Sequence, residues 1–423
     1  MISAVMARLP DPKIHLAAYG GVVFPIALII EAPIIMLLAA STALSKDWAS
    51  YLKIRRFMMW TGGILTAIHL VFAYTPLFYP FVRNVLGAPE EIIEPAKIGM
   101  MIMIPWTWTI AYRRFHQGVL IRFQHSKWVG IGTAVRLTAN IIAMAIGIMV
   151  GGLPGIVIGT SGIAAGVTIE AIYVGIVVQR VLRDELKPAP TLEPALTWRG
   201  FFDFYIPLAM TSLLLLIVQP MGSAAISRMP DALNSLAVWP VIGGFMFMFR
   251  SMGFAYNEVV VALLDEPGSY FNLRKFMIIL VISTTGVLTL VAATPLARLW
   301  FETVSGLPPE LSRMARTALW VGLLWPSLSV LRNWFQGSIV HGRRTRGITE
   351  AVTVFLIVAA GILFWGANFS SISGLYVGLA AFVLGTIAQV VWLWFRSRPV
   401  INSVRERDSI PELPTPAPEP QQA

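Results

Sequence analysis

Long apolar runs alternate along the chain with short turns that carry basic residues, glycine or proline. About 20 apolar residues cross the hydrocarbon core of a bilayer, so runs of this length predict membrane-spanning helices. The pattern places them at 15–45, 54–82, 95–121, 127–150, 154–183, 199–226, 232–264, 273–302, 310–340, 346–367 and 371–397, eleven in all. Several exceed the required length and are expected to tilt or to project from the bilayer. Segment 184–198 (DELKPAPTLEPALTW) is polar and proline-bearing and reads as a linker. Segment 398–423, ending PELPTPAPEPQQA, reads as a disordered tail. The expected domains are therefore an N-terminal lobe (1–183), the linker, a C-terminal lobe (199–397) and the tail.

Composition agrees with lipid as the solvent. Hydrophobic residues make up 56% and charged residues 13%, about half the charge of a soluble domain. Mean hydropathy is +0.72. A soluble enzyme this apolar could not cover its surface with polar groups. Cysteine is absent, which excludes disulfides, thiolate metal sites and cysteine nucleophiles.

Shifting the chain by 219 residues aligns it with itself. Ser50-Tyr51 falls on Ser269-Tyr270, Arg55-Arg56-Phe57-Met58 on Arg274-Lys275-Phe276-Met277, and Thr75-Pro76-Leu77 on Thr294-Pro295-Leu296. Gly87 and Pro89 fall on Gly306 and Pro308, Trp106 on Trp325, and Arg113 with Gln117-Gly118 on Arg332 with Gln336-Gly337. The matches include loop bases, prolines and glutamines, so similarity of two apolar sequences does not explain them; the chain is a duplication. With one residue of slippage Arg8, Pro10 and Asp11 match Arg228, Pro230 and Asp231. In the second half that stretch follows a span, 199–226, which has no counterpart before Arg8. A further helix upstream of Met1 is therefore expected, giving six plus six.

The net charge of +10 would point to nucleic acid in a soluble protein. Here 21 of the 32 bases, among them Arg55, Arg113, Arg114, Arg183, Arg274, Arg343, Arg344 and Arg398, are assigned to one set of turns and span ends, and 8 to the other. Such asymmetry marks the cytoplasmic face. The charge is thus a topology signal, nucleic acid is not an expected partner, and the C-terminus is cytoplasmic.

Duplications in parallel orientation are a transporter architecture with the substrate between the halves. The 6+6 plan and the short basic Gln-Gly loop after the third span present in the first half resemble the multidrug/oligosaccharidyl-lipid/polysaccharide (MOP) exporter superfamily, which includes the MATE multidrug exporters and polysaccharide lipid flippases. Within it, the chain is most similar to the progressive ankylosis (ANK) family, through Ala17-Ala18-Tyr19-Gly20, Ile68-His69-Leu70-Val71-Phe72-Ala73-Tyr74, and His116-Gln117-Gly118-Val119-Leu120-Ile121 with Val129-Gly130. The resemblance implies an all-α, two-lobed exporter in a bacterial inner membrane that exposes a cavity alternately to each side. Its cargo would be an anion such as pyrophosphate, a nucleoside phosphate or citrate, with H+ or Na+ as a possible coupling ion.

Ionisable groups inside spans cost about 2.5–3.5 kcal/mol each on insertion scales, so each needs a reason. Glu31 and Arg250 lie mid-span, 219 apart. If their helices line the pseudo-twofold axis, they could form an ion pair that acts as a gate or anion clamp; otherwise each is satisfied inside its own lobe. Arg136, with Asn140 one turn on, and Glu170 are expected to pair between adjacent helices of the first lobe; the repeat puts Phe355 and Gln389 opposite the two charges. His69, facing Leu288 in the repeat, is a packing residue or a proton relay. Asn257 and Glu258 line an inner mouth or reach interfacial water. Gln117 and Gln336 are expected to cap backbone groups at helix ends. Gly155, Gly159, Gly162 and Gly166 predict close helix packing. No nucleotide-binding, metal-binding or catalytic spacing is present, so an enzyme, a cofactor and a metal are not expected. No carboxylate lies deep in spans 199–226 or 310–340, where Asp203 is only near the start, and this argues against cationic-drug efflux. The alternatives are such efflux, a lipid-linked sugar flippase, and a non-transporting membrane scaffold.

Overall fold

The computed structural model describes residues 1–191, 193–342 and 346–409. They are helical, with no strand among them. The main helices are α1 (Pro12–Glu31), α2 (Trp48–Tyr74), α3 (Glu90–Ile102), α4 (Ile104–Arg122), α5 (Ser126–Val150), α6 (Gly155–Val181), α7 (Trp198–Ile226), α8 (Ala232–Leu263), α9 (Ser269–Ala293), α10 (Pro309–His341), α11 (Arg346–Phe369) and α12 (Gly374–Ser409). Ten helices among the described residues are long and apolar enough to cross a membrane.

The expected span 95–121 is covered by α3 and α4, which meet at a break at Met103 (φ −83°, ψ 5°), and α10 has a corresponding break between Val321 and Trp325. Pro105 occupies the first turn of α4; it has no N–H to continue the ladder from α3, so the helix restarts there. Span 15–45 is also shorter than expected: the helix ends at Glu31 and resumes as Leu37–Leu44. The tail expected from 398 onward begins as helix, because α12 runs through Pro399 to Ser409. Asp408 accepts the Tyr270 N–H at 2.8 Å, and Arg407 donates to the carbonyls of Leu264, Asp265 and Glu266. Residues 410–423, and Arg343 and Arg344, lie outside the described residues.

Local structure repeats as the duplication predicts. After α2 and after α9 a Thr-Pro-Leu turn leads into a wide helical turn, Phe81–Leu86 and Leu299–Val304. Gly87 (φ 69°) and Gly306 (φ 71°) end these turns in the left-handed region, where glycine is uniquely free of strain. Asp11 (φ 51°) and Asp231 (φ 58°) share the same unusual backbone, confirming the one-residue slip.

Two compact units are present. One comprises Met1–Gly244, Val291–Val321 and Ala359–Ala381; the other comprises Phe245–Leu290, Gly322–Val358 and the chain from Phe382 onward. In the first unit, Val167, Val174 and Val178 of α6 pack with Ile54, Phe115 and Leu120. Lipid supplies little hydrophobic drive between helices, so contact must come from close packing. Gly166 shows how close: a Cβ there would stand 1.5 Å from Asn140 Oδ1. In the second unit a smaller core joins Tyr256, Val260, Leu273, Val330, Trp334 and Val400.

The first unit also ties the two repeats together reciprocally. Arg228 donates to the carbonyls of Asn84 (3.0 Å), Val85 (2.7 Å) and Leu86 (3.0 Å). Arg8, its repeat counterpart, donates to the carbonyls of Thr303 and Val304. Both arginines cap the end of the other repeat's wide turn, where helix geometry leaves carbonyls without partners. Lys13 pairs with Glu310 nearby.

Candidate functional site

Two clusters of intramembrane charge stand at corresponding places of the duplication. In the first, Glu170 of α6 is fully buried. Arg113 Nη1 of α4 reaches its Oε2 at 3.0 Å, and Arg136 Nε of α5 lies 3.6 Å from the same oxygen. Gln117 Nε2 donates to the other oxygen, Oε1, at 3.1 Å. One carboxylate thus knits three helices. Oriented to donate, the Asn140 amide nitrogen reaches the carbonyls of Gly162 (2.9 Å) and Arg136 (3.2 Å), joining α5 to α6. Glu31, 4% exposed, accepts a hydrogen bond from Trp106 Nε1 at 2.9 Å. Arg114 lies within electrostatic reach of both Glu31 and Glu170. Three guanidiniums therefore face two carboxylates, each held by at least one donor.

The second cluster has the same frame and different charges. Arg332 stands for Arg113, Trp325 for Trp106 and Arg250 for Glu31. The Arg250 guanidinium lies over the Trp325 ring, 4.1 Å from its centroid, and 5.9 Å from the Phe254 ring. Arg332 lies 5.3 Å from the same Phe254 ring. Both side chains are half-buried, and the Nε of each is enclosed with no hydrogen-bond partner. Neither has a carboxylate partner among the described residues. Aromatic faces attract cations by about 0.5–2 kcal/mol, too little to replace a counter-ion in lipid.

The other sequence-derived residues are placed as follows. The expected pairing of Arg136 with Glu170 is present, but Arg113 makes the shorter contact. The partners described for Glu31 and for Arg250 are each inside their own unit. His69 is fully buried; its Nε2 donates to the Met100 carbonyl (3.0 Å) and its Nδ1 meets Thr107 Oγ1 (3.0 Å). A carbonyl can only accept, so Nε2 carries a hydrogen, and both ring nitrogens are engaged in packing α2 against α3 and α4. Asn257 Nδ2 donates to the Asn333 carbonyl (3.1 Å), and Glu258 is exposed.

Two sequence assignments need correction. Arg113 was assigned to the cytoplasmic face, yet it is 5% exposed and belongs to the Glu170 cluster. Gln117 binds that carboxylate rather than capping a helix end. Arg332, the repeat match of Arg113 within span 310–340, stands near Arg250 against the same Phe254 ring. The signal was in the repeat: Arg113/Arg332, Gln117/Gln336 and Trp106/Trp325 are polar or amphipathic residues at one register on the helix after each break.

No family model and no curated protein sequence matches the chain. Solved structures do. An inward-facing multidrug resistance MATE family transporter of the MOP superfamily superposes with TM-score 0.70 at 13% identity, over 96% of this chain and 94% of that one. The lipid II flippase MurJ, in an inward closed conformation, gives 0.62 at 15% identity, over 95% and 88%. A MOP superfamily transporter from Pyrococcus furiosus, described as having a binding pocket of reverse polarity that suggests a different function, gives 0.60 at 15% identity, over 96% and 91%. The chain is an integral membrane protein with the MATE-like fold of the MOP superfamily transporters.

Proposed function

We propose that the chain is a secondary transporter that carries a small organic or phosphate-type anion by alternating access between its two repeats. The observation that carries this reading is the Arg250–Arg332 pair: two guanidiniums sharing one aromatic ring, with no carboxylate partner among the described residues. Each costs about 2.5–3.5 kcal/mol in lipid, and like charges at such range add repulsion. An anion bound between them removes both penalties, and a guanidinium fork matches carboxylate and phosphate oxygens. The pocket of reverse polarity in the Pyrococcus furiosus neighbour supports the idea that this fold accepts different cargo charges. Cationic-drug efflux would need a free intramembrane carboxylate, whereas Glu170 is already shared by two arginines and a glutamine, and Glu31 is held by the Trp106 N–H with Arg114 in electrostatic reach.

The sequence holds no nucleotide-binding motif, so an H+ or Na+ gradient, or the substrate gradient, drives the cycle. The reciprocal caps of Arg8 and Arg228 suit repeats that must part and rejoin, since they can be broken without unfolding a helix. The base-rich face is cytoplasmic, the membrane is a bacterial inner membrane, and the direction is export, as in the progressive ankylosis family. The moving bodies are the repeats, 1–183 and 199–397.

The test is counterflow in proteoliposomes with labelled citrate, pyrophosphate and a nucleoside phosphate beside a cationic dye. Arg250→Gln with Arg332→Gln should lower anion counterflow at least tenfold while the protein remains monodisperse. Wild-type anion counterflow by that double variant, or dye transport alone by the wild type, overturns the reading.

A further inference from the structure

The two repeats carry a second pair of corresponding features, away from the charge clusters. Beside the N-terminal part of α2, between α4 and the end of α6, lies a cavity of about 270 Å³. Beside the start of α9, between α10 and α12, lies one of about 450 Å³. Their linings coincide at the 219-residue shift: Tyr51 stands for Tyr270, Arg55 for Arg274 and Gln179 for Arg398. Two cavities at one register, each assembled from the same three helices of its repeat, are a built feature of the duplicated unit rather than a packing accident.

Their chemistry is also shared. The first cavity is lined by Arg55, Arg183 and Lys187, and the second by Arg274, Arg398 and Arg405. No carboxylate is among the described residues that line either. Aromatic rings support the cations: the Lys187 ammonium is 5.0 Å from the Trp48 ring centroid, and the Arg398 guanidinium 3.7 Å from that of Trp394. Arg183 is engaged by Asp184 at 2.7 Å, whereas Arg274, Arg398 and Arg405 have no ion-pair partner among the described residues. Exposed apolar side chains adjoin both linings: Met59 lines the first and Trp60 follows it, the Phe395 ring lies 4.9 Å from Arg398 of the second and Phe276 precedes its Met277, all at least 40% exposed. Both cavities lie on the base-rich face.

We infer that each cavity binds the phosphate headgroup of an anionic phospholipid, with the acyl chains along the exposed apolar faces outside. A basic, aromatic-walled pocket at a helix end, open to apolar surface, recognises that combination of charge and hydrocarbon. Free phosphate shares the headgroup chemistry but has no use for the apolar rim. The second cavity, with three unpaired arginines, is the tighter of the two. The inference does not rest on transport.

The test is native mass spectrometry of the full chain in detergent with dioctanoyl phosphatidylglycerol, beside dioctanoyl phosphatidylcholine and inorganic phosphate. The wild type should retain two phosphatidylglycerol molecules and no phosphatidylcholine. Arg274→Gln with Arg398→Gln and Arg405→Gln should retain one, with the tight site weakened at least tenfold, and adding Arg55→Gln and Lys187→Gln should leave none. These side chains are exposed, so the variants should stay monodisperse; where the triple variant does not, Arg398→Gln alone should weaken the tight site. Undiminished retention in the variants, equal retention of phosphatidylcholine, or full displacement by inorganic phosphate at equal concentration overturns the inference.

Discussion

The two charge clusters are copies of one design put to opposite uses. Each helix after a break presents a tryptophan, an arginine and a glutamine: Trp106, Arg113 and Gln117 in one repeat, Trp325, Arg332 and Gln336 in the other. In the first repeat Glu31 takes the indole N–H and Glu170 takes the arginine, so the cluster is closed by its own counter-ions. In the second, Arg250 lies on the indole face instead of beneath its N–H, and Gln389 replaces Glu170. One substitution per contact turns an ion-paired joint into a cation pair with no counter-ion among the described residues. Buried ion pairs contribute little net stability but are costly to break, whereas an unpaired cation is an open requirement for a ligand.

Mutations that treat the copies alike should therefore give unlike results. The largest effect is expected from Glu170→Ala, which leaves Arg113 and Arg136 uncompensated and should destabilise the protein by about 3–5 kcal/mol, read by thermal unfolding in detergent. An unchanged unfolding midpoint would show that the first cluster is not a structural joint. The matching change in the second repeat, Arg332→Gln with Arg250→Gln, should leave the midpoint unchanged or raised and remove anion counterflow. If it unfolds the protein instead, the two clusters are alike and the comparison fails.

The tryptophans sharpen the contrast. Trp106→Phe removes a hydrogen bond to a carboxylate and should cost about 1.5–3 kcal/mol, while Trp325→Phe keeps an aromatic face under Arg250 and should cost about 1 kcal/mol or less. Equal midpoint shifts would mean that the ring edge and the ring face serve the same end.

The smallest effect concerns the turns outside the membrane, where Arg83 and Glu302 occupy corresponding positions with opposite charge. Arg83 is hydrogen-bonded to Glu90 and Arg298 to Glu302, and each contact holds the carboxyl below its ordinary value of 4.5. A lowered carboxylate favours the folded state above that ordinary value and loses its contribution as pH falls through the folded one. Glu90→Gln and Glu302→Gln should each lower the unfolding midpoint slightly at pH 7 and not at all at strongly acidic pH. A difference that persists in acid would assign the effect to packing.

Hydropathy by itself determined the helical class, ten of the spans and the duplication, because apolar run length and residue spacing are properties of the chain alone. It also placed Glu31, Arg136, Glu170 and Arg250 as charges that require a reason. Tertiary structure decided the reasons. Packing of α4 against α6 turns Arg113 and Gln117, apparently near a membrane face, inward to Glu170. Likewise, α12 carries the sequence past Pro399 because Asp408 and Arg407 find partners around α8 and α9. Partner choice depends on which helix faces meet across hundreds of residues, and a linear pattern of apolar and polar positions holds no such distances.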